Sequence, residues 1–306
     1  MEISVVIPLL DEEGSLKELH RQLSEVLRGK EYEILYVDDG SRDGSAAILS
    51  ELAESDERVG VMTFRRNRGK SAALAAGFLY ARGKVVITID ADLQDDPYEI
   101  PHLLAKLEEG YDLVSGWKIK RRDPFSKTIP SKFFNWVTAR LSGIKIHDFN
   151  CGLKAYRREV VEQIKVYGQM HRYLPVLAKM EGFTIGEVRV KHHPRRFGKT
   201  KYGVSRMLYG FLDLLTVLYT ARYTRNPLHL FGTMGFLSLV AGTVINGYLT
   251  WGWFMGKPIG NRPLFFLGIL LIILGVQLFS IGLLGEMITR QGETEAARGV
   301  FQAPRI

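Results

Sequence analysis

Four carboxylates, Asp90, Asp92, Asp95 and Asp96, crowd the stretch ITIDADLQDDP at residues 87–97 of a 306-residue chain whose formal net charge is +8. On an extended segment residues two apart face the same side, so Asp90-Ala91-Asp92 would present two hard oxygen donors together. Such a pair, with coordination left unfilled, suits Mg²⁺ or Mn²⁺ shared with substrate phosphates. The glycine cradles that bind phosphate without a metal are missing. No G-x-G occurs in the chain, which removes the dinucleotide fingerprint. Gly69-Lys70-Ser71 and Gly198-Lys199-Thr200 imitate the end of a phosphate loop, but the glycine required five residues earlier is Phe64 in one case and His193 in the other. The acids are therefore expected to hold a cation that offsets a diphosphate.

The segments that must position this cluster are short β-branched runs at 3–9, 32–39, 59–64 and 84–90, with helical patterns near 15–28, 44–55 and 70–82 between them. Further strands are expected at 111–117 and 183–192, and helices near 157–166 and 170–181. This alternation produces an α/β domain, a mostly parallel sheet with helices on both faces. Ligands of such sheets collect at the carboxyl ends of the strands. Those ends carry Asp11, Glu12 and Glu13, then Asp38 and Asp39, then Arg68 and Lys70, then Asp90 and Asp92. Acids after strands also cap helices, the reading preferred for Ser41 and Asp43. Asp90 and Asp92, however, precede any plausible helix start.

Charge disappears after Asn226. Residues 227–256 and 263–285 contain no Lys, Arg, Asp or Glu, and each run exceeds the ~20 residues a helix needs to cross a bilayer. Two transmembrane helices are expected, about 228–254 and 263–286, forming a C-terminal hairpin. Met1 to Leu10 lacks the features of a signal peptide, so an integral protein of the cell's inner or plasma membrane with its catalytic domain in the cytoplasm is expected. The lone Cys151 fits a reducing compartment and a packing role. Glycines recur every seven residues in both spans, at 235 and 242 and at 268, 275 and 282, allowing close packing within one hairpin or between protomers of a homo-oligomer. Asn246 and Gln277 are expected to hydrogen-bond between helices.

In order along roughly residues 3–205, VVIPLLDEEGSL, VDDGSRDGS, RNRGKSAALAAGF, DADLQDDP, DFNCGLKAYRREVV and RRFGKTKYG are similar to the motifs of family-2 glycosyltransferases of the GT-A fold. Within that family the chain resembles the dolichol-phosphate mannose synthase and polyprenyl-phosphate glucosyltransferase group. The resemblance implies that Pro8, Glu12, Val37 and Asp39 hold the base and ribose of a nucleotide-sugar, with Lys70, Asp90, Ala91 and Asp92 completing the donor site. It further implies that Asp90, Asp92 and Gln94 form the metal and diphosphate site, and that Asp148 orients the sugar or acceptor as a catalytic residue. Leu10 departs from the aromatic residue common in the family.

Two basic segments, 117–132 and 192–206, flank the acids and point to an anionic acceptor independently of that resemblance. Lys118, Arg121, Ser131, Arg196 and Lys201 are the expected acceptor-phosphate contacts. A solvated face or a grip on anionic lipid headgroups is the plainer alternative. A nucleic-acid reader is set aside because stacking aromatics are sparse between the charges. An apolar stripe through Met207, Leu208, Phe211, Leu215 and Leu218 would lay a helix in the bilayer interface. The expected order is a catalytic domain at 1–203, an interfacial helix at 204–225, two spans within 226–290 and a cytoplasmic tail at 291–306. The expected reaction is metal-dependent, inverting transfer of a sugar from UDP-glucose or, second, GDP-mannose to a polyprenyl (undecaprenyl or dolichyl) phosphate. Two rivals are a processive polysaccharide synthase, because QMHRY at 169–173 approximates Q-x-x-R-W, and a non-catalytic membrane module that binds nucleotide-sugar.

Overall fold

The computed structural model describes residues 1–119, 142–168, 170–194, 227–256 and 263–301, together with Asn135, 138–140 and Pro258. The expected interfacial helix at 204–225 lies outside the described residues. The chain divides into two compact units, Met1–Val217 and Leu218–Ile306.

In the first unit seven strands form one sheet: β1 (Ile3–Leu9), β2 (Tyr32–Asp38), β3 (Val59–Thr63), β4 (Val85–Thr88), β5 (Leu113–Lys118), β6 (Lys154–Arg157) and β7 (Ile185–Val190). Their order is β3-β2-β1-β4-β6-β5-β7, and every pairing is parallel except those of β6 with β4 and β5. The helices are α1 (Leu16–Val26), α2 (Ser45–Ser55), α3 (Lys70–Tyr80), α4 (Ile100–Glu108), α5 (Arg158–Gln163) and α6 (Leu174–Met180), with 3₁₀ turns at Pro97–Glu99 and Met170–Arg172.

The period of two in β1 divides the core. Ile3, Val5, Ile7 and Leu9 pack with Leu16, Leu19 and Leu23 of α1, Leu49 of α2 and Leu103 of α4. Val6 faces the other way, with Ala73, Leu74 and Phe78 of α3, Val160 of α5 and Leu174 of α6. Helices thus cover both faces, the arrangement that lets a parallel sheet be apolar on each side. Two elements were not expected. β6 is only four residues, KAYR, with a cation at each end, so it carries little strand pattern, and the helix expected from 157 begins at Arg158. α4 was hidden by Pro101 in its first turn, a position where proline is tolerated.

Glu33 ties the amino edge of the sheet. Its carboxylate accepts from Ser4 Oγ at 2.6 Å, from Arg82 N at 2.8 Å and from the Arg82 guanidinium at 2.9 and 2.7 Å. Burial pushes its pKa up, but Ser4 and Arg82 outweigh that and hold it below the usual carboxylate range.

In the second unit α7 (Pro227–Phe254) and α8 (Pro263–Phe301) pair as a hairpin. The segments Pro227–Phe254 and Pro263–Thr289, with mean hydropathies of 1.7 and 2.7, are long and apolar enough to cross a membrane. The periodic glycines are spent inside this hairpin. A Cβ at Gly242 would lie 2.6 Å from Gly268 O, and one at Gly235 would lie 2.7 Å from Gly275 O. With its Nδ2 turned to donate, the Asn246 amide meets Phe265 O at 3.3 Å and Ile269 N at 3.2 Å across the pair. Phe236, Val244, Phe266, Ile273 and Ile288 are left exposed, as a lipid-facing surface requires.

Replacing Glu33 with Ala removes the acceptor of Ser4 Oγ and of the Arg82 guanidinium and is expected to cost about 2 kcal/mol. A depressed pKa contributes stability that is present above the unfolded carboxylate value of about 4.3 and lost as pH falls through the folded value. The gap in thermal midpoint between parent and Glu33→Ala, measured on the detergent-solubilised chain, should therefore be largest near neutrality and close on acidification. Equal midpoints at pH 7 would refute the role given to Glu33.

Candidate active site

Beyond β1 the chain turns through Asp11, a non-glycine residue at φ 53°, and its geometry is fixed by bonds to the loop after β2. Asp11 N donates to Ser41 Oγ at 2.9 Å, Arg42 N to Asp11 Oδ1 at 2.8 Å, Glu12 N to Ser45 Oγ at 3.1 Å and Gly44 N to Glu13 Oε2 at 2.6 Å. Asp43 accepts from Ser45 N at 3.0 Å and Glu13 N at 3.2 Å just before α2, whose N-cap is Gly44, so it braces the loop and does not cap the helix as expected. Asp38 receives Ser41 N and Oγ on one oxygen. The Asp39 carboxylate takes Arg68 N at 2.6 Å and Gly69 N at 2.9 Å, so it closes the loop before α3. Three strand ends are thereby braced into one rim by short polar side chains that accept from backbone N–H groups.

The fourth end carries the acids. β4 stops at Thr88, residues 91–93 form a turn, and Leu93 has φ 57°. Asp90 thus stands just before a turn and Asp92 within it, not on the extended segment expected from their spacing. Asp92 Oδ1 accepts from Gln94 N at 3.1 Å, which fixes the turn. Asp90 lies over Gly152, where a Cβ would come within 2.7 Å of either carboxylate oxygen. Its Oδ1 accepts from Lys70 Nζ at the start of α3, and the two side chains are 34% and 32% exposed. Burial would raise the Asp90 pKa, but the charge and hydrogen bond of Lys70, with Lys118 and Lys154 behind them, bring it down to about 2.

Asp95 and Asp96 have other work. Lys118, at the end of β5, lies 2.6 Å from Asp95 Oδ1, and the pair is 12% and 1% exposed. Asp95 also bridges to His192, His193 N donates to Gln94 O at 2.8 Å, and His193 Nε2 lies 3.1 Å from Asp96 Oδ2. Asp96 Oδ1 accepts from Tyr98 N and caps the turn at 97–99. These two acids therefore tie together the points from which both basic segments depart.

The expected contacts are placed unevenly. Glu12 and Asp39 lie on the rim, and Lys70, Asp90, Asp92 and Gln94 lie at or beside the acidic turn. Pro8 pairs with Val37 in the sheet, beyond the last β4 pairing at Val6, where its missing N–H costs no ladder bond to that strand. Val37 has no exposed surface and packs with α3, so its side chain is core, and Ala91 is buried. Lys118 is held by Asp95 and is not a free cation for an acceptor. Asp148 is buried, its Oδ1 accepting from Asn150 N at 3.0 Å and its N–H donating to Glu187 Oε1 at 3.0 Å. Arg121, Ser131, Arg196 and Lys201 lie outside the described residues. His147 is structural, bonded to Glu187 at 2.7 Å and stacked on Trp117 at 4.0 Å. Cys151 is buried, and burial first of all pushes its thiol up to about 12.

Two buried residues beside Asp90 were not read as part of the site. Lys154, 2% exposed, donates from Nζ to Cys151 O, and burial lowers its pKa. The signal was a lysine inside an otherwise apolar CGLKAY. His171 lies 3.0 Å from Ser71 Oγ and is pushed down to about 2, by burial first and then by Lys70, so its imidazole is neutral. Next to it, Tyr173 stands in the place of the Trp of Q-x-x-R-W with no exposed surface, offering no ring face to a polymer.

Among the described residues no three carboxylate, imidazole or thiolate groups converge as a preformed cation site. By their chemistry Asp90, Asp92 and Gln94, close in sequence and all hard oxygen donors, would suit a divalent ion that keeps ligand positions for a diphosphate.

A mostly parallel sheet with one antiparallel insertion, acids at its carboxyl edge and helices on both faces is the GT-A class of architecture. Among solved structures, glucosyl-3-phosphoglycerate synthase from Mycobacterium tuberculosis superposes with a TM-score of 0.58 at 19% identity, over 72% of this chain and 79% of that one, in a complex with Mn²⁺, uridine diphosphate and glucosyl-3-phosphoglycerate. At that identity the likeness concerns the fold alone. Residues 4–165 match the profile of Glycosyl transferase family 2. The dodecaprenyl-phosphate galacturonate synthase of Rhizobium johnstonii is 37% identical over 95% of this chain and 88% of its own length. The undecaprenyl-phosphate 4-deoxy-4-formamido-L-arabinose transferase of Pseudomonas paraeruginosa is 38% identical over 99% and 90%. The chain belongs to glycosyl transferase family 2, and these relatives are polyprenyl-phosphate sugar transferases.

Lys118→Met would leave Asp95 buried without its cation and should lower stability by about 3 kcal/mol, seen as a fall in thermal midpoint. An unchanged midpoint with only the acceptor KM raised would instead make Lys118 an acceptor contact.

Proposed function

We propose that the protein transfers a sugar from a nucleotide-sugar donor to a polyprenyl monophosphate at the membrane, yielding a polyprenyl-phospho-sugar and a nucleoside diphosphate. The observation that carries this reading is the turn holding Asp90 and Asp92 beside Lys70 at the carboxyl edge of the sheet, in a chain that also carries an apolar helical hairpin. The names of the two relatives support the acceptor class.

The second pKa of a phosphomonoester is near ~6, so the acceptor is largely a dianion at neutral pH and already nucleophilic. No strong general base is needed. That agrees with His171, the imidazole bonded to Ser71 near Lys70 and Asp90, being neutral. The chain's work is to bring two anions together and orient them. Asp90, Asp92 and Gln94 would hold Mg²⁺ or Mn²⁺, which offsets the charge of the departing diphosphate. Glu12 and Asp39 shape the base and ribose side, Lys70 supplies a cation at the start of α3, and Asp148 orients the sugar. The acceptor phosphate would be met by Arg121, Ser131, Arg196 and Lys201. Direct attack at the anomeric carbon inverts its configuration.

UDP-glucose followed by GDP-mannose is the reading of the motifs. The relatives are named for galacturonate and 4-deoxy-4-formamido-L-arabinose, which widens the donors to be tried. The catalytic unit is placed on the cytoplasmic side of the bilayer.

The decisive experiment incubates the purified chain in detergent with Mn²⁺ or Mg²⁺, undecaprenyl phosphate and a panel of UDP- and GDP-sugars, followed by lipid extraction and mass spectrometry. A lipid monophosphate-sugar that disappears with EDTA is expected. Polymer would indicate the processive reading, and no nucleoside diphosphate from any donor would indicate the non-catalytic one. In the active reaction Asp92→Asn should lower kcat/KM by about 100-fold or more with an unchanged thermal midpoint. Near-normal turnover would sink the assignment of Asp92 to the metal.

A further inference from the structure

Three lysines converge behind the acidic turn, and they differ in what holds them. Lys118 is locked to Asp95 in an interior pair, and Lys154 is buried with its Nζ on Cys151 O. Lys70 alone is bound to a carboxylate proposed to ligate the metal, and its side chain and that of Asp90 keep about a third of their surface, 34% and 32%. A divalent ion on Asp90 would stand only a few ångströms from an ammonium held by the same carboxylate, so the two cations repel and compete for it. The first residue of α3 is also the place from which a cation can reach an anion at that helix's positive end.

We infer that Lys70 is an exchangeable counter-ion: it occupies Asp90 when the site is empty, is displaced when the divalent cation binds, and transfers to the diphosphate that accompanies that cation. The inference rests on the proposed metal and nucleotide site and adds to it a coupling between the two ligands. Metal alone displaces the ammonium from Asp90 at the expense of that ion pair. Metal with a nucleoside diphosphate gives that ammonium a new one. Each ligand therefore strengthens the binding of the other beyond their direct contact, and the enhancement is reciprocal. Before binding, Lys70 offsets Asp90; afterwards the cation offsets Asp90 and Asp92 while Lys70 offsets part of the phosphate charge. The other two lysines stay in place and set the background charge of the site.

The test is a titration of Mn²⁺ followed by electron paramagnetic resonance of the free ion, on the full chain in detergent, with and without UDP. Parent, Lys70→Met and Asp92→Asn are compared. Lys70→Met should bind Mn²⁺ alone about 5-fold or more tightly than the parent, and its gain from UDP should fall by a similar factor. Mn²⁺ affinity unchanged or weakened in Lys70→Met, while Asp92→Asn abolishes binding, would overturn the exchange and leave the metal site standing. Asp92→Asn binding Mn²⁺ as the parent does would remove the metal site and the exchange with it. Lysine acylation read by mass spectrometry gives a second measure on the unmutated chain. Labelling of Lys70 should rise with Mn²⁺ alone and fall again when UDP is added, and labelling indifferent to Mn²⁺ would refute displacement.

Discussion

The structure depends on keeping acids and cations in balance at the carboxyl edge of one sheet. Asp90 and Asp95 lie close to Lys70, Lys118 and Lys154, in surroundings where an unpaired charge of either sign is costly. Asp90 is held ionised by cations that outweigh its burial, and Lys70 and Lys118 are held ionised by acids that outweigh theirs. A site that receives a divalent cation and a diphosphate together can admit both without large change in net charge. On the exchange inferred above, Lys70, the lysine whose partner is itself a candidate ligand, is the counter-ion that moves.

Around that balance the loops are fixed by small polar side chains. Ser41, Ser45, Asp11, Asp39 and Glu13 each accept from a backbone N–H of a neighbouring loop, so the ends of β1, β2 and β3 form one connected rim. Loops braced in this way would hold the proposed donor-binding groups without a glycine-rich cradle. The absence of G-x-G and the abundance of Asp and Ser after the strands are two aspects of one design.

Much of this was legible in the sequence because it follows from periodicity. The alternation of β-branched runs with helical patterns gives β1 to β4 and α1 to α3 close to their observed bounds, and the acids stand after a strand as their position implied. What escaped was set by tertiary contacts. β6 has four residues and takes its place from pairing with β4 and β5, which no local pattern announces. Lys118 reads as one more cation in a basic run until Asp95 is seen 2.6 Å away. Val37 reads as a site residue by its place in a motif, yet the alternation of β2 turns it toward α3. Lys154 was passed over because a lysine in a strand is ordinarily solvated, and only burial beside acids gives it a function.

The question of why four carboxylates stand in eleven residues has a two-part physical answer. Asp90 and Asp92, set by a tight turn after β4, are the pair suited to a cation. Asp95 and Asp96 instead engage Lys118 and His193, the residues that lead into the segments at 120–134 and 195–206. Those segments carry the cations proposed for the acceptor phosphate. The stretch that would hold the donor's diphosphate is therefore also the stretch that binds Lys118 and His193, and five residues of chain separate Asp90 from Asp96. The arrangement favours an enzyme in which donor and acceptor sites are set relative to each other by one acidic loop, and it accounts for the acids that the metal does not need.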